Sequence, residues 1–465
     1  MQAKDKFSIK EWICMQQMKL SEIVAAVKGS FGYPADVMID SISTDTRTIT
    51  KGSVFLALKG ERFDGHDYAA KAMELGAEAV ITQRAVEGAK CIIVDSTAQA
   101  LLDLAGYYRD KFDIPLVGVT GSVGKTTTKD MIALVVAQKY KTLKTQGNLN
   151  NEIGMPKTLF GLDEDTQAAV IEMGMSARGE ISRMSTCCKP TVCVITNIGV
   201  SHIEKLGSQE NILAAKLEIL DGAKQGAPLV LSMDDKFLAN AEVHGLRKVY
   251  YYSVKSKNCD VYAKNIINKN NGVSFDICYG GSIYPARLSC IGVHNVKNAL
   301  AAFCVGIALD VPIDSILVGI ESFRPEGLRQ NITRKNGINF VVDCYNAAPD
   351  SMRSSISVLD QVETDGMRYC ILADMLELGE QSAEFHKTVG KYVADSNADR
   401  LYCYGELARN YIIGAVENGF DKNRCMHFSD RDELAVYLKG KLESGDSVLL
   451  KGSRGMALEE VFNAL

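Results

Sequence analysis

Short, almost unbroken apolar runs, each followed by a helix-like segment, recur along most of this chain. That alternation most narrows the folds open to it. From about Phe112 the runs are "LVGVT", "AAVIEMG", "TVCVITN" and "PLVLSM"; beyond "RPEGLRQN" they are "INFVVDCY", "RYCILAD", "RLYCYG", "RCMHFS" and "SVLLKGS". A strand without polar alternation is buried on both faces, so the runs predict parallel sheets covered by helices. The last set predicts a doubly wound, Rossmann-like α/β domain. Between the two sets, "NCDVYAKNIINKNNGVSFDICYGGSIYPARL" predicts antiparallel hairpins with "NNG" and "YGG" turns, and "HNVKNALAAFCVGIAL" a helix. Near the start, "SVFLAL" and "AEAVIT" flank the helix "HDYAAKAMELGA". The expected fold is α/β in three domains: a small α/β domain over 1–111, a central parallel-sheet domain with an antiparallel addition over 112–325, and a Rossmann-like domain over 326–465. The linkers near Phe112 and Pro325 are expected to act as hinges.

Length and composition exclude several classes. A chain of 465 residues is too long for one ordinary core. A net charge of −5 argues against a protein that holds nucleic acid through phosphate contacts. The 13 cysteines form no CxxC pair, and several sit in apolar runs, which fits free buried thiols rather than disulfides or a zinc site. The first twenty residues lack the apolar core of a secretion signal, and no apolar run reaches the ~18 residues needed to span a bilayer. A cytoplasmic location without membrane insertion is expected.

In doubly wound sheets, ligands bind beyond the carboxyl ends of the strands. The polar runs "TGSVGKTTT", "EMGM", "NIGVSH", "DCYNAAP", "DMLELG" and "KGSRG" all fall there. The first sits between an apolar strand and a helix and predicts a phosphate grip of backbone N–H groups and a helix N-terminus. Gly121, Ser122 and Gly124 would form the cradle, Lys125 would reach the β/γ-phosphates, and Thr126, beside Thr127, would meet Mg2+. The strict GxxxxGK[ST] pattern needs glycine at 119, which is Val119; Gly118 lies one residue early.

Four further features bear on chemistry. Glu172 ends a buried-type strand, where a carboxylate is costly unless paired, so it is either a helix cap for "SARGEIS" or a magnesium ligand. His202 follows a strand in the same way. Lys216 falls inside the apolar arc of "ENILAAKLEIL", so it either snorkels to water or is buried with a depressed pKa, able to take up CO2 as a carbamate. Asn148, Asn150 and Asn151 crowd the turn "GNLNNEIGMP", either as plain turn residues or as amides for a polar substrate.

Taken in order, these motifs resemble those of the Mur ligases over nearly the whole chain. "STDTRTITKGSVFLALKGERFDGHDY" is similar to the family's uridine-nucleotide domain, with Asp45, Thr46 and Arg47 at its Asp-Ser-Arg-type motif. "GVTGSVGKTTTK" resembles its ATP loop, offset glycine included. "GNLNNEIGMP", "EMGMSARGEI", "NIGVSHIEKLGS", "AAKLEIL", "GVHNVKNALAA", "GLRQ", "DCYNAAPDSM", "ADMLELGEQSAEFH" and "KGSRGMALEEV" follow in family order. "YNA-P-SM" and "DMLELG" point to the branch that attaches D-Ala-D-Ala to UDP-N-acetylmuramoyl-tripeptide. The resemblance implies ligation through an acyl phosphate, driven by ATP and Mg2+, by a monomer of the peptidoglycan pathway. It implies Glu172, His202 and a carbamylated Lys216 at magnesium, Asn295 and Asn298 near adenine, and Arg329 and Asp343 toward phosphates and ribose. Tyr345, Asn346, Lys451, Ser453 and Arg454 would present the amine.

Two positions depart from the family. Ala348 stands where Asn is usual and Ala373 where Gly is usual, both in the domain expected to take the amine. A paralogue that adds another amino acid or dipeptide therefore stays open. So does a nucleotide-switch or transport ATPase, although the first domain and the Lys216 motif argue against it.

Overall fold

The computed structural model describes residues 14–61, 63–243, 248–269, 272–325 and 331–465. Their strands form three sheets, of five, nine and six strands. In the first, Met38–Ser43, Ser53–Leu56, Ala79–Thr82 and Cys91–Ile93 run parallel, and Cys14–Lys19 pairs antiparallel with the first of these.

The expected buried strands make the parallel centre of the second sheet. Leu116–Thr120 lies between Ala168–Glu172 and Val192–Ile195, with Leu229–Ser232 next to the last. Every residue of these four strands is buried, which is why they carry no polar alternation. Val249–Ser253 and Val261–Lys269 extend the sheet in parallel, Gly272–Tyr279 and Ser282–Leu288 follow as antiparallel strands, and Thr142–Lys144 closes the opposite edge, parallel to Ala168–Glu172. The "YGG" turn joins the last two with Gly280 and Gly281 at φ +58° and +80°. Asn270 and Asn271 of the "NNG" turn lie outside the described residues. Helix Val293–Ala308 packs beside the helix that follows the phosphate loop.

The third sheet has the order Asn331–Lys335, Ile338–Asp343, Ser447–Lys451, Arg368–Ala373, Arg400–Tyr404, Cys425–Phe428, parallel except for its first strand. Its strand ends carry "DCYNAAP", "DMLELG" and "KGSRG".

The junction near Phe112 differs from the expected hinge. One apolar core runs through it, from Met18 and Ile81 on one side to Leu116 and Ile195 on the other, with Phe112 inside it. Arg109, 2% exposed, stitches the joint by donating to the carbonyls of Cys188 (3.2 Å), Ile114 (3.0 Å) and Phe112. Tyr108 adds a second stitch to Leu162 O at 2.6 Å. A buried guanidinium satisfied by carbonyls fixes this segment.

Candidate active site

The phosphate loop is held open by its neighbours. Val123 N–H donates to Asn197 Oδ1 (2.9 Å), while Thr196 Oγ1 and Asn197 Nδ2 donate to Val123 O (2.7 and 3.0 Å). Ser122 Oγ accepts from Gly199 N at 2.9 Å. Gly121 has φ +149°, and a Cβ there would lie 1.8 Å from Thr196 Oγ1. Gly124, at φ +82°, turns the chain into helix Lys125–Val136. Gly118 does different work: it lies in the strand, where a Cβ would crowd Met173, Pro190 and Ile219. The offset glycine is therefore a packing residue, and the loop itself needs only Gly121 and Gly124. Thr126 and Thr127 stand half-buried on the first turn of the helix, where its N-terminus faces the loop.

Lys125 Nζ donates to Gly121 O (2.9 Å) and Ser122 O (3.4 Å). Its charge acts on both Lys216 and His202. Lys216 is 2% exposed, which removes the snorkelling alternative. Burial, then the charge of Lys125, holds its pKa well below the ordinary lysine value. Burial likewise lowers the pKa of His202; Glu377 opposes this, and Lys125 and Lys216 add to it. Such a pocket favours a negative occupant.

Glu172 supplies the complement. It is 1% exposed, its Oε1 accepts from Asn150 Nδ2 at 2.7 Å, and its Oε2 is buried with no hydrogen-bond partner. The capping role falls to other residues: Ser176 N–H donates to Glu180 (2.8 Å) and Gly179 N–H to Glu218 (2.9 Å). A buried, half-satisfied carboxylate beside a phosphate loop fits a hard cation. Among the described residues, no group of three His, Cys, Asp or Glu could hold a metal by itself.

The other candidates divide. Asn298 Oδ1 accepts from Thr128 Oγ1 of the loop helix at 3.1 Å, and Asn298 Nδ2 donates to Asn295 Oδ1 at 3.4 Å, so this pair adjoins the loop. Asn151 Oδ1 accepts from Ile153 N (3.2 Å) and Gly154 N (2.8 Å) in the turn leading into helix Gly154–Phe160, and Asn148 is exposed. Asp45 accepts from Arg47 N at 2.9 Å and pairs with the Arg47 side chain on the turn Thr46–Thr48 of the first sheet's domain. Asp343 and Lys451, expected to serve different ligands, form a buried pair at 2.6 Å; Ser355 also donates to Asp343, and Lys451 to Asn346 O. Asn346 is exposed and Tyr345 half-buried. Ser453 Oγ accepts from Leu376 N at 2.9 Å, and Arg454 pairs with Glu459. Arg329 lies outside the described residues.

Sequence reasoning passed over Asn197, which braces the loop, and Glu377, which contacts His202 at 2.7 Å. Both lie in motifs already quoted, but neither contact follows from spacing along the chain.

Comparison with known proteins adds to this geometry. Residues 38–109 match the model described as Mur ligase family, catalytic domain; 119–306 match the Mur ligase middle domain; 329–454 match the Mur ligase glutamate ligase domain. The UDP-N-acetylmuramoyl-tripeptide--D-alanyl-D-alanine ligase of Bacillus subtilis (strain 168) is 37% identical over 97% of this chain and 99% of its own. MurF from Acinetobacter baumannii superposes with a TM-score of 0.89 at 29% identity, covering 97% of this chain and 98% of that one. MurF ligase from Thermotoga maritima, solved in complex with ADP, gives 0.82 at 29% identity, covering 91% and 96%.

Proposed function

The chain belongs to the Mur ligase family, and from that premise we propose that it joins D-Ala-D-Ala to UDP-N-acetylmuramoyl-tripeptide. It is an ATP-dependent ligase. The observation that carries the site reading is the buried, unpartnered Glu172 Oε2, on the strand paired with the one that leads into the Gly121–Gly124 loop, with Lys125 folded over that loop and Lys216 buried.

The loop amides and the helix N-terminus hold the β- and γ-phosphates, and Lys125 swings from the carbonyls of Gly121 and Ser122 to meet them. The Asn295–Asn298 face of helix Val293–Ala308 takes the adenine side of ATP. The terminal carboxylate of the tripeptide attacks the γ-phosphorus, the bond to the bridging oxygen breaks, and ADP leaves. Lys125 neutralises charge on the transferred phosphoryl group. The amine of the dipeptide then adds through its lone pair to the acyl carbonyl and gives up a proton, and the tetrahedral adduct breaks its C–O bond to expel phosphate.

Thr126, Glu172, His202 and Lys216 as its carbamate would hold magnesium, which supplies charge neutralisation at the phosphates. Burial favours the neutral form of the Lys216 amine, the form nucleophilic toward CO2; the N–C bond forms and one amine proton leaves. We place the uridine nucleotide on the Asp45–Arg47 turn and the amine beside Tyr345, Asn346 and Ser453. The enzyme is proposed to act as a monomer in the cytoplasm, with domains divided at 111/112 and 325/326. Among the described residues, no helix is long and apolar enough to cross a membrane.

The departures from the family lie in packed backbone. Ala373 is fully buried, and a Cβ on Gly452 would come within 2.7 Å of its own. Ala348 is 4% exposed, and its N–H donates to Ser351 Oγ at 3.0 Å. Offering the enzyme MgATP, the UDP-tripeptide and a panel of amines, with products read by mass spectrometry, tests the assignment. D-Ala-D-Ala should be consumed in preference to L-Ala-L-Ala, D-Ala and glycine. Preference for another amine would refute the substrate and leave the ligase chemistry standing.

A further inference from the structure

Two residues with left-handed backbones meet across the boundary between the second and third sheets' domains. His202, immediately before helix Ile203–Leu206, has φ +62°, and Glu377, after strand Arg368–Ala373, has φ +63°. Non-glycine residues persist there only where their surroundings fix them, and they concentrate at functional sites. His202 Nδ1 lies 2.7 Å from Glu377 Oε2.

The loop that carries Glu377 is pinned from its own side. Met375 N–H donates to His386 Nε2 (3.0 Å), and Leu376 N–H to Ser453 Oγ (2.9 Å). Across the boundary, a Cβ on Gly379 would meet Glu204 Cα at 3.3 Å. Val200 and Ile291, from the central domain, pack into the third domain's core. The docked arrangement therefore does not depend on the Glu377 carboxylate, which is 63% exposed and adds little stability. What it governs is the imidazole. A cleft of about 700 Å³ opens beside the contact, lined by Ile203, Glu204, Met375, Gly379 and Leu407.

We propose that Glu377 is a positioning residue for His202: by accepting the Nδ1–H, it fixes the ring in the tautomer whose Nε2 lone pair is free to ligate a cation at the phosphoryl site. This rests on the ligase reading, which gives His202 that task. A neutral imidazole has one donor and one acceptor nitrogen, and a carboxylate at Nδ1 decides which is which and makes the other more basic. The carboxylate comes from the domain that presents the amine. The cation site is thus complete only when that domain is docked, so activation of the carboxylate is tied to the presence of the amine-bearing domain.

The test begins with metal-free, nucleotide-free enzyme labelled with 15N-histidine. The chain has 6 histidines, and His202→Gln assigns the signal. His202 should show a protonated Nδ1 and an unprotonated Nε2. Glu377→Gln keeps an acceptor oxygen and should keep the tautomer; Glu377→Ala should move it toward Nε2–H. In Glu377→Ala, the Mg2+ concentration for half-maximal ligation should rise about 10- to 100-fold, with kcat recovering at high Mg2+. Glu380→Ala, on the same loop, should change neither. Circular dichroism and small-angle scattering should show Glu377→Ala folded and docked. A wild-type His202 protonated on Nε2 would overturn the proposal whatever the variants do. So would an unchanged tautomer or Mg2+ requirement in Glu377→Ala while wild type ligates. Absence of ligation by wild type would instead remove the ligase reading, and the tautomer would still report on the contact.

Discussion

Replacing Tyr108 with Phe should loosen the joint between the first two domains by about 2–3 kcal/mol. The ring is fully buried, and its hydroxyl donates to Leu162 O at 2.6 Å and accepts from Gln16 N at 2.7 Å. Phe keeps the ring contacts with Phe112 and Phe160, whose centroids lie 5.2 and 5.8 Å away, so no cavity forms. The cost is polar. Leu162 is fully buried, and its carbonyl would lose this donor at a cost of about 2 kcal/mol; Gln16 is exposed, so its N–H turns to water at no more than about 1 kcal/mol. A chain of several domains does not unfold in one step, so a local probe is required. Amide exchange read by mass spectrometry over Thr97–Arg109 and Gly154–Phe160 should lose protection by about 30- to 150-fold, since each 1.4 kcal/mol is tenfold. Exchange in Arg400–Tyr404 of the third sheet should not change. A loss below threefold in the first two segments would refute the claim that this hydroxyl ties the domains.

Lys216→Ala should abolish ligation, and removal of bicarbonate should slow wild type; full rate in both would exclude the carbamate. Gly121→Ala drives a Cβ to 1.8 Å from Thr196 Oγ1 in a left-handed backbone. Strain and overpacking together cost about 2–5 kcal/mol, so ADP affinity by calorimetry should fall at least tenfold. Unchanged affinity would mean the loop adopts another shape. His386 gives the third domain a pH dependence. Its Nδ1–H donates to Ser382 O at 2.6 Å, its Nε2 accepts from Met375 N, and burial lowers its pKa. The unfolded chain, with a pKa of about 6.5, then binds the proton more readily, so stability is full above that value and falls as pH drops toward the depressed folded pKa. Melting of the third domain followed between pH 8 and 5 checks this; a flat profile would contradict it.

What the sequence revealed follows from which signals are local. The strands at the centre of the sheets announce themselves because both faces are buried. Thr142–Lys144, half-buried at a sheet edge, and Asn331–Lys335, the antiparallel strand ending the third sheet, carry no such run and leave no signal in the sequence. The apolar arc located Lys216, but only the packed structure shows that its head is buried too. The joint at Phe112 was misread because Arg109 is satisfied by carbonyls from distant segments, which composition cannot reveal. Glu377 is indistinguishable along the chain from Glu380, three residues on; only the approach of another domain singles it out.

Phosphate transfer in this ligase serves amide formation. The most direct measurement is phosphate release from MgATP with the UDP-tripeptide, with and without D-Ala-D-Ala, with products weighed by mass spectrometry. Sustained release should occur only when both substrates are present, with one pentapeptide formed per phosphate. Release that continues without either substrate would contradict this.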